Sequence, residues 1–200
     1  MIGAAIVLAV TLQASASADP VITRKMVTKD LSDSFGRKLE QLEKFEHDSK
    51  AKKAPVSVSE SELNSYVRFA LSEKVPRGLR DVRIVLQAGR LELRGVANLA
   101  EFGDLKDKAA SGMSLLGMLG GEMAVEIIAD FKSDRGFGQF DVVSAQVGPV
   151  PLSPALLADI VTRATTDSSR PSGFDIRAPF RLPYSVKRIR SQPALAIIEY

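Results

Sequence analysis

The chain has 200 residues, 45% of them hydrophobic and 26% charged, ordinary values for a folded domain with a core of its own. It holds no cysteine and a single histidine, which excludes thiol chemistry and leaves zinc or copper short of ligands. The net charge of +3 is mild and its signs interleave; with no Trp and three Tyr, the chain lacks the basic face and stacking groups of a nucleic-acid binder.

Ile2 to Leu12 is an apolar run too short to span a bilayer. It breaks into the small-residue triplet Ala16-Ser17-Ala18 ahead of Asp19-Pro20, the layout of a secretory signal peptide cut after Ala18. No Lys or Arg precedes the run, which is irregular for such a signal, and a buried N-terminal helix or strand is the competing reading. Export would place the protein in the periplasm or outside the cell, where ATP is absent. No later apolar stretch approaches membrane-spanning length.

From Pro20 to about Glu46, Leu31, Phe35, Leu39 and Leu42 recur at helical spacing among charged residues, with Met26 and Val27 extending the stripe. A polar stretch from His47 to Pro55 reads as a linker. Ser59 with Glu62 three residues later forms a capping box, opening a helix to about residue 74 whose stripe is Leu63, Tyr66, Val67, Ala70 and Leu71. Period-two alternation follows: Val82, Ile84 and Leu86, then Leu91, Leu93, Gly95, Ala97 and Leu99, around Ala88-Gly89. This predicts a hairpin with one wet face, hence an antiparallel sheet covered on one side.

Residues 100–121 are apolar but carry Gly103, Gly112, Gly117 and Gly120, too many glycines for a rigid helix. Strands are expected over Glu122–Lys132 and Phe140–Val147, separated by a turn at Asp134-Arg135-Gly136. Ser153 caps a helix that has Pro154 at its first position and Leu156, Leu157, Ile160, Val161 and Ala164 as its stripe, ending near residue 166. Ile176 to Tyr200 holds two more strand-like runs broken by Pro183 and Pro193. The expected organisation is a signal peptide over 1–18, an amphipathic helix and linker over 19–55, and one domain over 56–200.

The order of these pieces carries a resemblance. A Ser-Glu-x-Glu-Leu-Asn helix start (Ser59 to Asn64) leads into a long charged hairpin turning at Ala88-Gly89. A later hairpin runs into Gly148-Pro149-Val150-Pro151-Leu152 and a short helix with Leu156-Leu157, and the chain closes on Phe180-Arg181-Leu182-Pro183-Tyr184 and a last strand. Over about residues 56–200 this resembles the LmeA-like and YpmS-like extracytoplasmic proteins, which are similar to the tubular lipid-binding superfamily. The resemblance implies an α+β fold in which a strongly curved antiparallel sheet grips one or two helices. It also implies an apolar groove for acyl chains and no catalytic residues. It explains neither the extra N-terminal helix nor the segment 100–121.

Catalytic chemistry is poorly supplied. His47 lies among Glu46, Asp48 and Lys50 and reads as a solvated surface histidine. No serine sits in a G-x-S-x-G elbow. Gly136-Phe137-Gly138 lacks the third glycine and helix start of a phosphate loop and reads as a turn or bulge. Asp130, Asp134 and Asp141 could gather around a hard cation, although their spacing fits no calcium loop. No metal, cofactor or enzymatic activity is expected.

Binding is better supplied. Met113, Leu115, Leu116, Met118, Leu119 and Met123 form a flexible, polarizable cluster suited to varied apolar ligands, and equally a core loop. With Tyr66, Leu156 and Ile160 they are the expected lining of an apolar groove or lid. Lys187, Arg188 and Arg190 are candidates for contact with anionic headgroups or a membrane surface, against the plainer reading of a strand's wet face. The expected function is an exported, non-enzymatic protein that binds or carries a lipid or other apolar small molecule. The alternative is an envelope interaction module docking a partner protein through its N-terminal helix.

Overall fold

The structure, a computed structural model, describes residues 27–48, 53–76, 78–98, 121–166, 168 and 170–200. The signal-peptide reading of residues 1–18, and Met26, lie outside these. The described residues fold as α+β: three α-helices and an antiparallel sheet that does not close into a barrel, with a smaller sheet beside it.

Helix α1 (Lys29–His47) starts where the Thr28 hydroxyl accepts from the Leu31 N–H at 3.2 Å, and it extends one residue into the expected linker. Phe35, Leu39 and Leu42 are buried against helix α2 (Glu60–Phe69), where Phe35 meets Tyr66 edge-on with ring centroids 5.0 Å apart. Strand β1 (Val56–Ser59) runs straight into α2. Its last residue, Ser59, is the cap of the helix, and both halves of the capping box are formed. β1 went unanticipated because four residues alternating with serine look like linker; its Val56 and Val58 are buried against a partner at the far end of the chain.

The large sheet is made of β2 (Leu79–Gln87), β3 (Arg90–Asn98), β4 (Glu122–Asp134), β5 (Phe137–Val147) and β6 (Val150–Pro151), paired in that order. Short β7 (Phe180–Arg181) joins β5 at its other end. Both expected hairpins form, and the second is longer than the pattern suggested: β4 reaches Asp134 and β5 begins at Phe137. Arg135 and Gly136 both have positive φ (48° and 85°), as a tight two-residue turn between twisted strands requires.

Alternation sorts the two faces. Ile84, Leu86, Leu91, Ala129 and Phe131 are buried inside. Outside, Arg90 pairs with Asp130 at 2.7 Å, Arg94 with Glu92 and Glu126, and Lys132 with Asp141 at 2.6 Å. In β5 the register skips Val143, so that Ser144 faces Ile128 while Val142 faces Ala129. The bulge moves the buried set from Gly138 and Phe140 to Ala145 and Val147, and leaves Val143 exposed.

The free edge of β2 is closed by side chains of α2. Asn64 donates through Nδ2 to the Ile84 carbonyl at 2.7 Å and accepts through Oδ1 from the Ile84 N–H at 2.8 Å, as a neighbouring strand would. Glu60 accepts from the Leu86 N–H at 2.8 Å, and the Ala194 N–H reaches the Leu86 carbonyl at 3.0 Å. Ala194 belongs to the turn between β8 (Arg188–Gln192) and β9 (Leu195–Glu199), which with β1 form the small sheet in the order β1-β9-β8. That sheet lies over the turn end of the large one, held by Gly89 N–H to the Ser191 carbonyl, Gly136 N–H to the Lys187 carbonyl, and Ser133 to Ile189.

Helix α3 (Pro154–Ala164) packs Leu157 and Ala158 inward against β5. Beside it Phe131, Phe140, Phe174 and Phe180 form one aromatic group, with neighbouring centroids 5.1 to 5.5 Å apart. The turn Pro183-Tyr184-Ser185-Val186 places two successive non-glycine residues at positive φ (58° and 56°), closed by Val186 N–H to the Pro183 carbonyl at 3.2 Å. Ala194 (φ 59°) follows Pro193 at the position of a turn where glycine is favoured.

Two outcomes follow for stability. Asn64→Ala leaves the Ile84 backbone groups buried without partners and lowers unfolding free energy by about 2 kcal/mol in urea titration. Ser185→Gly and Ala194→Gly relieve left-handed strain and each raise it by about 1 kcal/mol.

Candidate functional site

The reactive side chains are dispersed. His47 is exposed at the last turn of α1. The three aspartates considered for a cation each face a basic group instead: Asp130 meets Arg90, Asp141 meets Lys132, and Asp134 lies between Arg188 at 2.7 Å and Arg135 at 3.1 Å. Hydrogen bonding from Arg188 holds the Asp134 carboxyl below its usual range. Among the described residues no group of three metal-ligating side chains is present, and no helix is long and apolar enough to cross a membrane.

Two carboxylates near the α1–α2 junction are perturbed in opposite senses. Burial acts to raise Glu62, but donors from Lys38 (2.8 Å), the Ser59 N–H (2.9 Å) and Ser34 (2.7 Å) outweigh it and hold Glu62 below its ordinary value. Burial raises Glu60, with the Leu86 N–H and the charge of Arg83 only partly offsetting it. Tyr200, packed edge-on against Phe45 at 5.2 Å, is pushed up to about 12 by burial. These groups are explained by packing α1 and α2 together, not by aim toward a shared reaction centre.

The apolar candidates fall in different places. The inner face of the large sheet is sealed at its turn end, where Leu91 and Ala129 are fully buried. Toward the other end Ala97, Val125 and Ile127 are still buried, while Leu79, Val82, Leu93 and Met123 are half-buried against them. Met123 is the second residue of β4 and lies against the β5–β6 turn, its sulfur 3.0 Å from where a Cβ on Gly148 would sit. β6 returns along this same end of β5, pairing Val150 with Val147, and hands the chain to α3. Leu156 and Ile160 are half-buried on α3.

Tyr66 stands apart, at the α1–α2 contact. Asn98 and Glu122 are direct partners across β3 and β4, so the chain between them leaves and returns at the open end. Met113, Leu115, Leu116, Met118 and Leu119 belong to that connection and lie outside the described residues.

Sequence pattern missed Leu79 and Val150 as members of this surface. Their only signal was an apolar residue beside a glycine or proline at a strand end.

The basic candidates sit at the opposite, turn end. Lys187, Arg188 and Arg190 are exposed, with Arg188 paired to Asp134 and Arg190 to Glu199 across the β8–β9 hairpin. A separate, open depression of about 650 Å³ lies along the outer side of α1, lined by Glu40, Glu43, Lys44, His47 and Asp48. Its lining residues are all charged or polar, but the surface they turn toward it is largely carbon.

No family model, curated protein or solved structure matches this chain.

The pH dependence has a defined sign. Because Glu62 is depressed in the fold, the stability it contributes is present above its unfolded value near 4.5 and is lost as pH falls through its lower folded value. Glu62→Gln should lose about 2 kcal/mol at neutral pH and show a flatter decline than the parent between pH 5 and pH 3, about one decade either side of the carboxylate range, followed by chemical denaturation.

Proposed function

We propose that this is an exported, non-enzymatic carrier of a lipid or similar apolar molecule, held at the open end of the large sheet. The observation that carries the reading is the group of half-buried apolar side chains there, Leu79, Val82, Leu93 and Met123, at the point where the chain enters and leaves its Gly- and Met-rich connection. In this reading Met123, Leu156 and Ile160 flank the molecule and Leu79, Val82 and Leu93 form its floor. Met113, Leu115, Leu116, Met118 and Leu119 contribute from the connection. An acyl chain gains about 0.8 kcal/mol per buried methylene, so tight binding needs no polar anchor.

The same proposal takes the large sheet to be strongly curved around its helices, as the resemblance to the LmeA-like and YpmS-like proteins implies. Support comes from two bulges, between Arg80 and Arg83 in β2 and at Val143 in β5, since a bulge bends its strand and raises local twist. Export rests on the signal-like residues 1–18, and the absence of catalysis on the scattered, ion-paired titratable groups described above.

A second reading, an interaction module using the N-terminal helix, is favoured by the depression on α1. The apolar stripe of α1 is already buried against α2, so a partner would meet the polar side. Glu40→Lys with Glu43→Lys should abolish such docking without loosening the fold.

Organic extraction of the natively purified protein, followed by mass spectrometry, should release a lipid. Uptake of a fluorescent fatty acid should weaken about ten-fold in Met123→Lys, with Met123→Ala as the milder control and a thermal melt reporting folding. A protein that is empty and takes up no fatty acid overturns the proposal.

A further inference from the structure

We infer a second interaction surface at the turn end of the large sheet, one that fits an anionic bilayer surface. Among the described residues only Phe69, Phe137 and Val143 are large apolar side chains with substantial exposure, and Phe137, 53% exposed, is the one set among cations. The register puts Asp134, Phe137 and Arg181 in one row across β4, β5 and β7, on the outer side of the sheet. Asp134 is gripped by Arg135 and Arg188. The backbone of Lys187 accepts from the Gly136 N–H at 2.9 Å, which fixes a fourth cation at the same tip. All four basic residues are exposed, and the Arg135 side chain is 92% so.

Four cations stand against one carboxylate, leaving the tip at +3, the formal net charge of the whole chain. Neighbouring Arg190 and Lys132 do not add to it, being paired with Glu199 and Asp141. Basic residues close to an anionic membrane each strengthen attachment, and an aromatic ring among them enters the boundary between headgroups and acyl chains. A soluble polyanion would use the cations and leave the ring without a role, so the exposed Phe137 favours the bilayer. The tip is at the far end of the sheet from Met123, and the inference does not require a lipid to be held there.

The experiment is co-sedimentation of the full chain with vesicles of phosphatidylcholine alone or mixed with phosphatidylglycerol. Binding is expected only to the mixed vesicles and should fall with salt. Arg135→Ala combined with Lys187→Ala should weaken it about 25-fold, roughly five-fold per charge, and Phe137→Ser about ten-fold. All three side chains are exposed, so the variants should keep the parent's thermal melt. Equal binding to neutral vesicles, no binding to mixed ones, or no effect of the double variant overturns the inference. So does a soluble polyanion such as heparin competing while Phe137→Ser binds vesicles normally. Extraction of the same variants separates the two proposals: lost vesicle binding with retained internal lipid leaves the open-end site standing, and the reverse leaves the tip standing.

Discussion

An antiparallel sheet that ends in a free strand must satisfy the polar backbone of that strand, and this constraint organises the molecule. β2 is the edge, and its Ile84 and Leu86 lie in the core, where water cannot serve. Asn64 and Glu60 supply the missing partners from α2, and Ala194 completes the set from the β8–β9 turn. Those few bonds fix where α2 sits and how far the C-terminal hairpin reaches. Through α2 they also help to fix α1, whose Phe35 packs edge-on against Tyr66 of α2.

The consequence is a sheet with two unlike ends. At the turn end, the small sheet and the Phe131, Phe140, Phe174 and Phe180 group fill the inner face. At the other end β3 and β4 part company at Asn98 and Glu122, and Leu79, Val82, Leu93 and Met123 are half-buried against the core. Ion pairs neutralise much of the outer face, while Arg135, Arg181, Lys187 and Arg188 surround the single carboxylate of Asp134 where β4, β5, β7 and β8 meet.

Much of this was legible. The alternation of Val82, Ile84 and Leu86 with charged residues marked β2 and its wet face, and β3 to β5 followed by the same rule. Ser59 with Glu62, and Ser153 with Pro154, marked two helix starts because capping is local chemistry. Asn64 was not legible as an edge partner, since its role depends on a strand twenty residues away. Nor was the turn at Tyr184-Ser185, whose conformation usually selects Asn or Gly and is here imposed on other residues by their surroundings. Of the candidate apolar site, Met123, Leu156 and Ile160 were identified by type, while Tyr66 was grouped with them because one helical stripe cannot say which neighbour it will meet.

What the sequence determined by itself were periodicities and caps: the α+β class, strands β2 to β5, the starts of α2 and α3, and the stripe of α1. These depend on residues within a few positions of one another. Tertiary structure decided the pairing of β1 with β9, the closing of the β2 edge, and the row joining Asp134, Phe137 and Arg181. Each of these brings together segments tens of residues apart, and no local propensity encodes which distant backbone or side chain will satisfy a buried polar group or border an exposed ring.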